Sequence, residues 1–129
     1  MSRQEAFMRL LGAIRDHLAV AEPGGEIFSV QAAINSLDGE VVTVQLWSQE
    51  LPALAAALLG WADTLTAVSV ILWRVPDGLA VHLDVVGRMV DEAVRVFGGV
   101  PYEAEVFGAD LHPGQRREIP LGVLRGWAE

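Results

Sequence analysis

The residues of this chain best placed to do chemistry are His82, Asp84 and Arg88, which fall at even spacing in the segment 79–89. Alternate residues of a β-strand share a face, so a strand here sets an imidazole, a carboxylate and a guanidinium on one side of a sheet. A histidine beside a carboxylate is the pair that general acid–base catalysis uses. The arginine's planar fork of donors suits an anionic group. The same three residues are also ordinary on the watered side of an amphipathic strand.

The rest of the chain adds no catalytic motif to them. There is no Gly-x-Ser-x-Gly elbow, no Gly-x-Gly-x-x-Gly loop and no lysine with which to build a phosphate-binding loop. His17, His82 and His112 form no H-x-H or H-x-x-x-H pair. On an α-helix the neighbours Asp16 and His17 point about 100° apart and share no site. The expectation is therefore no metal and no cofactor, and the lack of a motif leans against an enzyme without deciding it.

Composition narrows the partners. The chain has 129 residues, one domain's worth, and 52% of them are hydrophobic, more than a small core needs. Such a surplus is often buried against a second copy of the chain. All nine basic residues are arginine, a bias of GC-rich coding that suggests a bacterium or its phage. The net charge of −8 opposes nucleic acid, because DNA binders gain affinity by neutralising phosphates. With no cysteine, disulfides, thiolate chemistry and Cys-based metal sites are excluded. The charged Arg3–Glu5 start lacks a leader's apolar run, and the cytoplasm is the expected compartment. Residues 51–73 carry only Asp63 as a charge, but its central place and the interruptions at Pro52 and Gly60 oppose a membrane span.

The elements that must position these residues follow from periodicity. Residues 1–20 predict an amphipathic helix, with Ser2 and Glu5 at capping-box spacing and Phe7, Leu10, Leu11, Ile14 and Leu18 recurring along it. Residues 26–48 predict a hairpin turning at Asp38-Gly39, with Phe28, Val30, Ala32 and Ile34 on one side. Val30, Ala33, Ile34 and Leu37 also fit a helix. Leu51, Leu54, Leu58, Trp61 and Leu65 mark a helix over 48–63.

A second hairpin joins 67–73 to 79–89 through Pro76-Asp77-Gly78, read as a three-residue turn with a glycine bulge. That register puts Trp73 opposite Val81 and Ile71 opposite Leu83 on the core side. The other side then pairs Leu72 with His82 and Val70 with Asp84. Segment 67–73, apolar on both faces, reads as a central strand covered on both sides. Val86, Val90, Ala93 and Phe97 fit a helix, while the alternation of Val94 and Val96 favours a strand over 93–97, stopped by Gly98-Gly99 and returning beside 79–89. A short helix over 103–111 and a closing helix over 119–128 complete the chain, with Arg116-Arg117 as a solvated pair between them.

The expected fold is thus α+β, one domain over 1–129, with an antiparallel sheet of about five strands in the order α-β-β-α-β-β-β-α. This order is similar to that of roadblock/longin-type and profilin-like domains, and the resemblance implies helices layered on a five-stranded sheet. Two functions compete. One is a non-catalytic interaction or assembly protein, a homodimer using Trp47, Val70, Leu72 and Trp127 as interface residues. The other is a small-molecule-binding domain or minor enzyme on the His82, Asp84 and Arg88 face.

Overall fold

The computed structural model describes residues 2–35, 39–47 and 50–129. Its elements are α1 (Arg3–Ala21), β1 (Ile27–Asn35), β2 (Gly39–Leu46), α2 (Leu51–Ala62), β3 (Thr66–Arg74), β4 (Ala80–Met89), β5 (Glu92–Pro101), α3 (Ala104–Phe107), β6 (Arg116–Ile119) and α4 (Leu121–Ala128). The expected α+β class holds. Asp38, half of the expected first turn, Leu37 and the expected helix start at Ser48 lie outside the described residues.

Local chemistry explains the helix ends. The Ser2 hydroxyl accepts the Glu5 amide at 3.1 Å, so one free donor of the first turn is satisfied. At the other end Glu22 turns left-handed, at φ 46°, and its amide closes back on the Leu18 carbonyl. Pro52 sits in the first turn of α2, where it has no helical hydrogen bond to lose.

The sheet corrects the expected count and direction. Its six strands run in the order β1-β2-β5-β4-β3-β6, and β2 pairs with β5 in parallel while the other pairings are antiparallel. Parallel neighbours need a long crossover, and α2, β3 and β4 supply it between β2 and β5. The sixth strand is β6, which joins β3 at the edge from Val70–Ile119 to Trp73–Arg116. Four residues reading Arg-Arg-Glu-Ile are too short and too charged to show a strand's alternation.

The 67–89 hairpin corrects the expected register by one residue. Arg74 pairs with Val81, Trp73 with His82, Leu72 with Leu83 and Ile71 with Asp84. Leu79 belongs to the turn, not the strand: it is 75% exposed, and Val75 closes the loop on Ala80 at 3.0 Å. Asp77 holds this wider turn by accepting the Leu79 amide at 2.9 Å. One extra loop residue moves every side chain of the strand to the opposite face. Val70 and Leu72 therefore point into the core, at 2% exposure each, and Ile71 and Trp73 point away from it.

One face of the sheet carries the helices. Leu10 and Ile14 of α1, Leu54, Leu58 and Trp61 of α2, and Leu124 of α4 pack on Val42, Val44, Leu72, Leu83, Val85 and Val96. The expected Trp61 core position is found, and its indole donates to the Gly24 carbonyl at 3.2 Å. Strand β5 runs through Gly98-Gly99 instead of stopping there. A Cβ on Gly98 would lie 2.5 Å from Leu54, so the glycine is what lets α2 seat on the strand. No helix among the described residues is long and apolar enough to cross a membrane.

Candidate functional site: the uncovered face of the sheet

No helix among the described elements joins the opposite face of the sheet to a core, and β3 is covered on one side only, contrary to the sandwiched strand expected. That face carries Gln31, Ala33, Val41, Thr43, Ile71, Val86 and Ala93 around Asp84 and Arg95, together outlining a shallow cavity of about 660 Å³.

Asp84 is its centre. Strand β4 alternates Val81, Leu83 and Val85 into the core, which forces His82, Asp84 and Val86 to the uncovered side. Although on that side, Asp84 is only 1% exposed. Arg95, reaching from β5, donates its Nε to Asp84 Oδ2 at 2.6 Å. The Arg95 guanidinium lies over the Phe97 ring at 4.1 Å, and Phe97 stacks on His82 at 5.1 Å between centroids. His82 then meets Trp73 edge-on at 5.1 Å, and Arg116 of β6 lies over Trp73 at the same separation. Four strands thus place a cation, two aromatic rings with an imidazole between them, and a second cation in one line.

Among the described residues, Asp84 Oδ1 and His82 Nδ1 are buried without a hydrogen-bond partner. Burial pushes His82 below its ordinary range; Asp84 opposes that shift, while Arg95 and Arg116 add to it. A neutral imidazole beside a carboxylate already neutralised by arginine is a poor proton-transfer pair. What the line presents is flat rings and, at its centre, the Asp84 Oδ1 acceptor.

His82 and Asp84 are therefore brought together as the spacing predicted, but Arg88 is not with them. Its guanidinium donates to the Asp91 carbonyl across the β4–β5 turn. Its place beside Asp84 is taken by Arg95, whose alternation with Phe97 opposite Val94 and Val96 was the readable signal. Arg116 is exposed, as a solvated residue should be, and it opens strand β6. Arg117 pairs with Asp110 at 3.2 Å.

The interface candidates divide. Val70 and Leu72 lie beneath the helices and reach no surface. Trp127 is half-buried, edge-on to Phe107 at 5.2 Å. Trp47 is 49% exposed and meets Phe28 edge-on at 4.6 Å. Phe28 is itself a correction. The register shifts between Ile27 and Ser29, so Ile27 turns inward and Phe28 stands out at 52% exposure.

His17, away from this face, bonds Thr64 Oγ1 at 2.8 Å and stacks on Trp61, and burial lowers its pKa too. Both histidines are neutral in the fold at a pH where the unfolded chain already takes up protons. Their contribution to stability is complete above pH ~6.5 and is lost as pH falls toward their lower folded values. Unfolding free energy is expected to decline between pH 7 and pH 5, and both rings to titrate below 6.5 by NMR. A ring titrating above 6.5 contradicts the burial argument for that residue.

Compared with known protein families, with curated proteins and with solved structures, the chain matches none.

Proposed function

We propose that this chain is a non-catalytic interaction or assembly protein, acting in the cytoplasm as a homodimer, with the uncovered face of its sheet offered to a further partner. One observation carries the reading. A six-stranded sheet is packed with helices on one face, while Val41, Ile71, Trp73, Val86 and Phe97 remain only half-buried on the other. Aromatic rings and arginines are the side chains enriched at protein interfaces, and here they are aligned across four strands. Size-exclusion light scattering tests the dimer directly. The expected mass is twice the 13.9 kDa of one chain, holding on dilution into the low-micromolar range. A 13.9 kDa species at every concentration sinks the proposal.

A second reading has its own support. The partnerless oxygen of Asp84, inside a cavity of about 660 Å³, favours a small ligand that brings an N–H donor to it. In this reading Arg95, not Arg88, completes the site with His82 and Asp84. Titration with guanidinium chloride at sub-denaturing concentration, followed by the His82 ring signals, is expected to give saturable shifts that Asp84→Asn abolishes. Linear, unsaturable shifts reject it.

A further inference from the structure

Strand β1 is one edge of the sheet, and its nine residues Ile27–Asn35 contain no charge, proline or glycine. Edge strands of soluble proteins are normally blunted by charge, proline or short length, because their free N–H and C=O groups recruit other strands. The opposite edge follows that rule, with four residues of which three are charged. At β1 the rule is broken.

The helix above β1 leaves the same edge apolar. The flank of α1 bearing Arg9, Ala13 and His17 is turned toward the middle of the sheet: Arg9 pairs with Glu40 of β2 and, at 3.3 Å, with Glu92 of β5, and His17 reaches Thr64 just after α2. At 100° per residue, Phe7 and Leu11 fall on the opposite flank, while Leu18 beside them packs against the core. Leu11 is 44% exposed there, and Val30 of the strand below it 37%.

We propose that a second copy of this chain pairs its β1 antiparallel to β1 of the first, joining two six-stranded sheets into one continuous sheet of twelve. This inference rests on the homodimer reading above and names its interface. Charge restricts where two copies can meet. Two chains of net charge −8 repel over most of their surface, and an uncharged strand with an apolar helix flank is where two copies meet without opposing carboxylates. Geometry selects the register. A two-fold axis normal to the sheet keeps both helical layers on one side, so paired residues must have like parity and one residue must pair with itself. Centring on Gln31, the fifth of the nine strand residues, matches Ser29 with Ala33 and Val30 with Ala32 on either side. The two Gln31 amides then face one another and can exchange hydrogen bonds. The uncovered faces of both copies become one surface.

The chain has no cysteine, so single-cysteine variants report this contact without background. Directly opposed residues of antiparallel strands have Cα atoms ~4.5–5.5 Å apart, within disulfide range. Residues four apart in register are separated by ~13 Å and are out of range. Mild oxidation is expected to cross-link Gln31→Cys into a covalent dimer and to leave Ala33→Cys monomeric on a denaturing gel. Gln31→Glu and Gln31→Lys, at an exposed position, are each expected to weaken the dimer by about tenfold or more, a change of ~1.4 kcal/mol, and an equimolar mixture to recover it as a heterodimer. A wild-type dimer that neither charge variant weakens, with no Gln31→Cys cross-link, overturns the edge pairing while leaving the homodimer intact. A monomeric wild type overturns both.

Discussion

Arg95→Met is expected to destabilise the fold by about 2–3 kcal/mol, the largest single effect at the uncovered face. The cause is not the loss of a good contact. Asp84 is 1% exposed and one of its oxygens already lacks a partner, so the Arg95 Nε at 2.6 Å is the hydrogen bond that makes its burial tolerable. Removing the arginine strands a carboxylate in a place water reaches poorly. The effect falls below the usual range for breaking a buried pair because the Arg95 side chain is itself 30% exposed, which lets solvent replace part of it. Replacing both partners, as in Asp84→Leu with Arg95→Met, is expected to cost less than Arg95→Met alone, since no charge is left behind. Urea unfolding of the two single variants and the double gives the coupling. A loss below ~0.5 kcal/mol for Arg95→Met means that Asp84 is solvated without it, and the account of the cavity's centre is then wrong.

Gly60→Ala is the second large effect, and its sign is the informative part. In the middle of a helix, alanine normally stabilises by about 1 kcal/mol over glycine, through the entropy of the unfolded chain. On α2 a Cβ at position 60 would lie 2.2 Å from the backbone oxygen of Pro23. Neither backbone can yield without lifting α2 away from the segment after α1, where Trp61 also holds the Gly24 carbonyl. A loss of about 1–3 kcal/mol is expected in place of the gain. Gly12→Ala in the middle of α1 is the control. Its Cβ would meet only the tip of Arg15, at 3.9 Å, and a stabilisation of about 0.5–1 kcal/mol is expected. Equal changes at both positions in thermal unfolding would rule out the close approach of α2 to Pro23.

The legible part of this fold was the part written in local spacing. The α1 cap and the α2 stripe from Leu54 to Trp61 each need only residues a few positions apart, whereas residues 86–97 fitted a helix as well as a strand until their neighbours were known. The alternation of His82 and Asp84 put both on one face for the same reason. The alternation of Arg95 with Phe97 put that arginine on a polar strand face, but that this face is the one carrying Asp84 was not legible until the neighbour and register of β4 are known. Nor was the face of Trp73. One turn residue, Leu79, decides which of Val70, Ile71, Leu72 and Trp73 enter the core.

The residue pattern by itself determined an α+β chain with one amphipathic helix, one apolar helix and several alternating strands. Such patterns report which residues seek burial, and burial near a residue in sequence is decided by helix and strand geometry alone. Only the tertiary structure decided which strands are neighbours, that β2 and β5 run parallel, that Arg95 rather than Arg88 holds Asp84, and that one face and one edge of the sheet stay uncovered. Those features depend on contacts between residues far apart in the chain. Their free energies are set by packing and hydrogen bonding across strands, and a one-residue change in a loop reverses them without altering the local pattern.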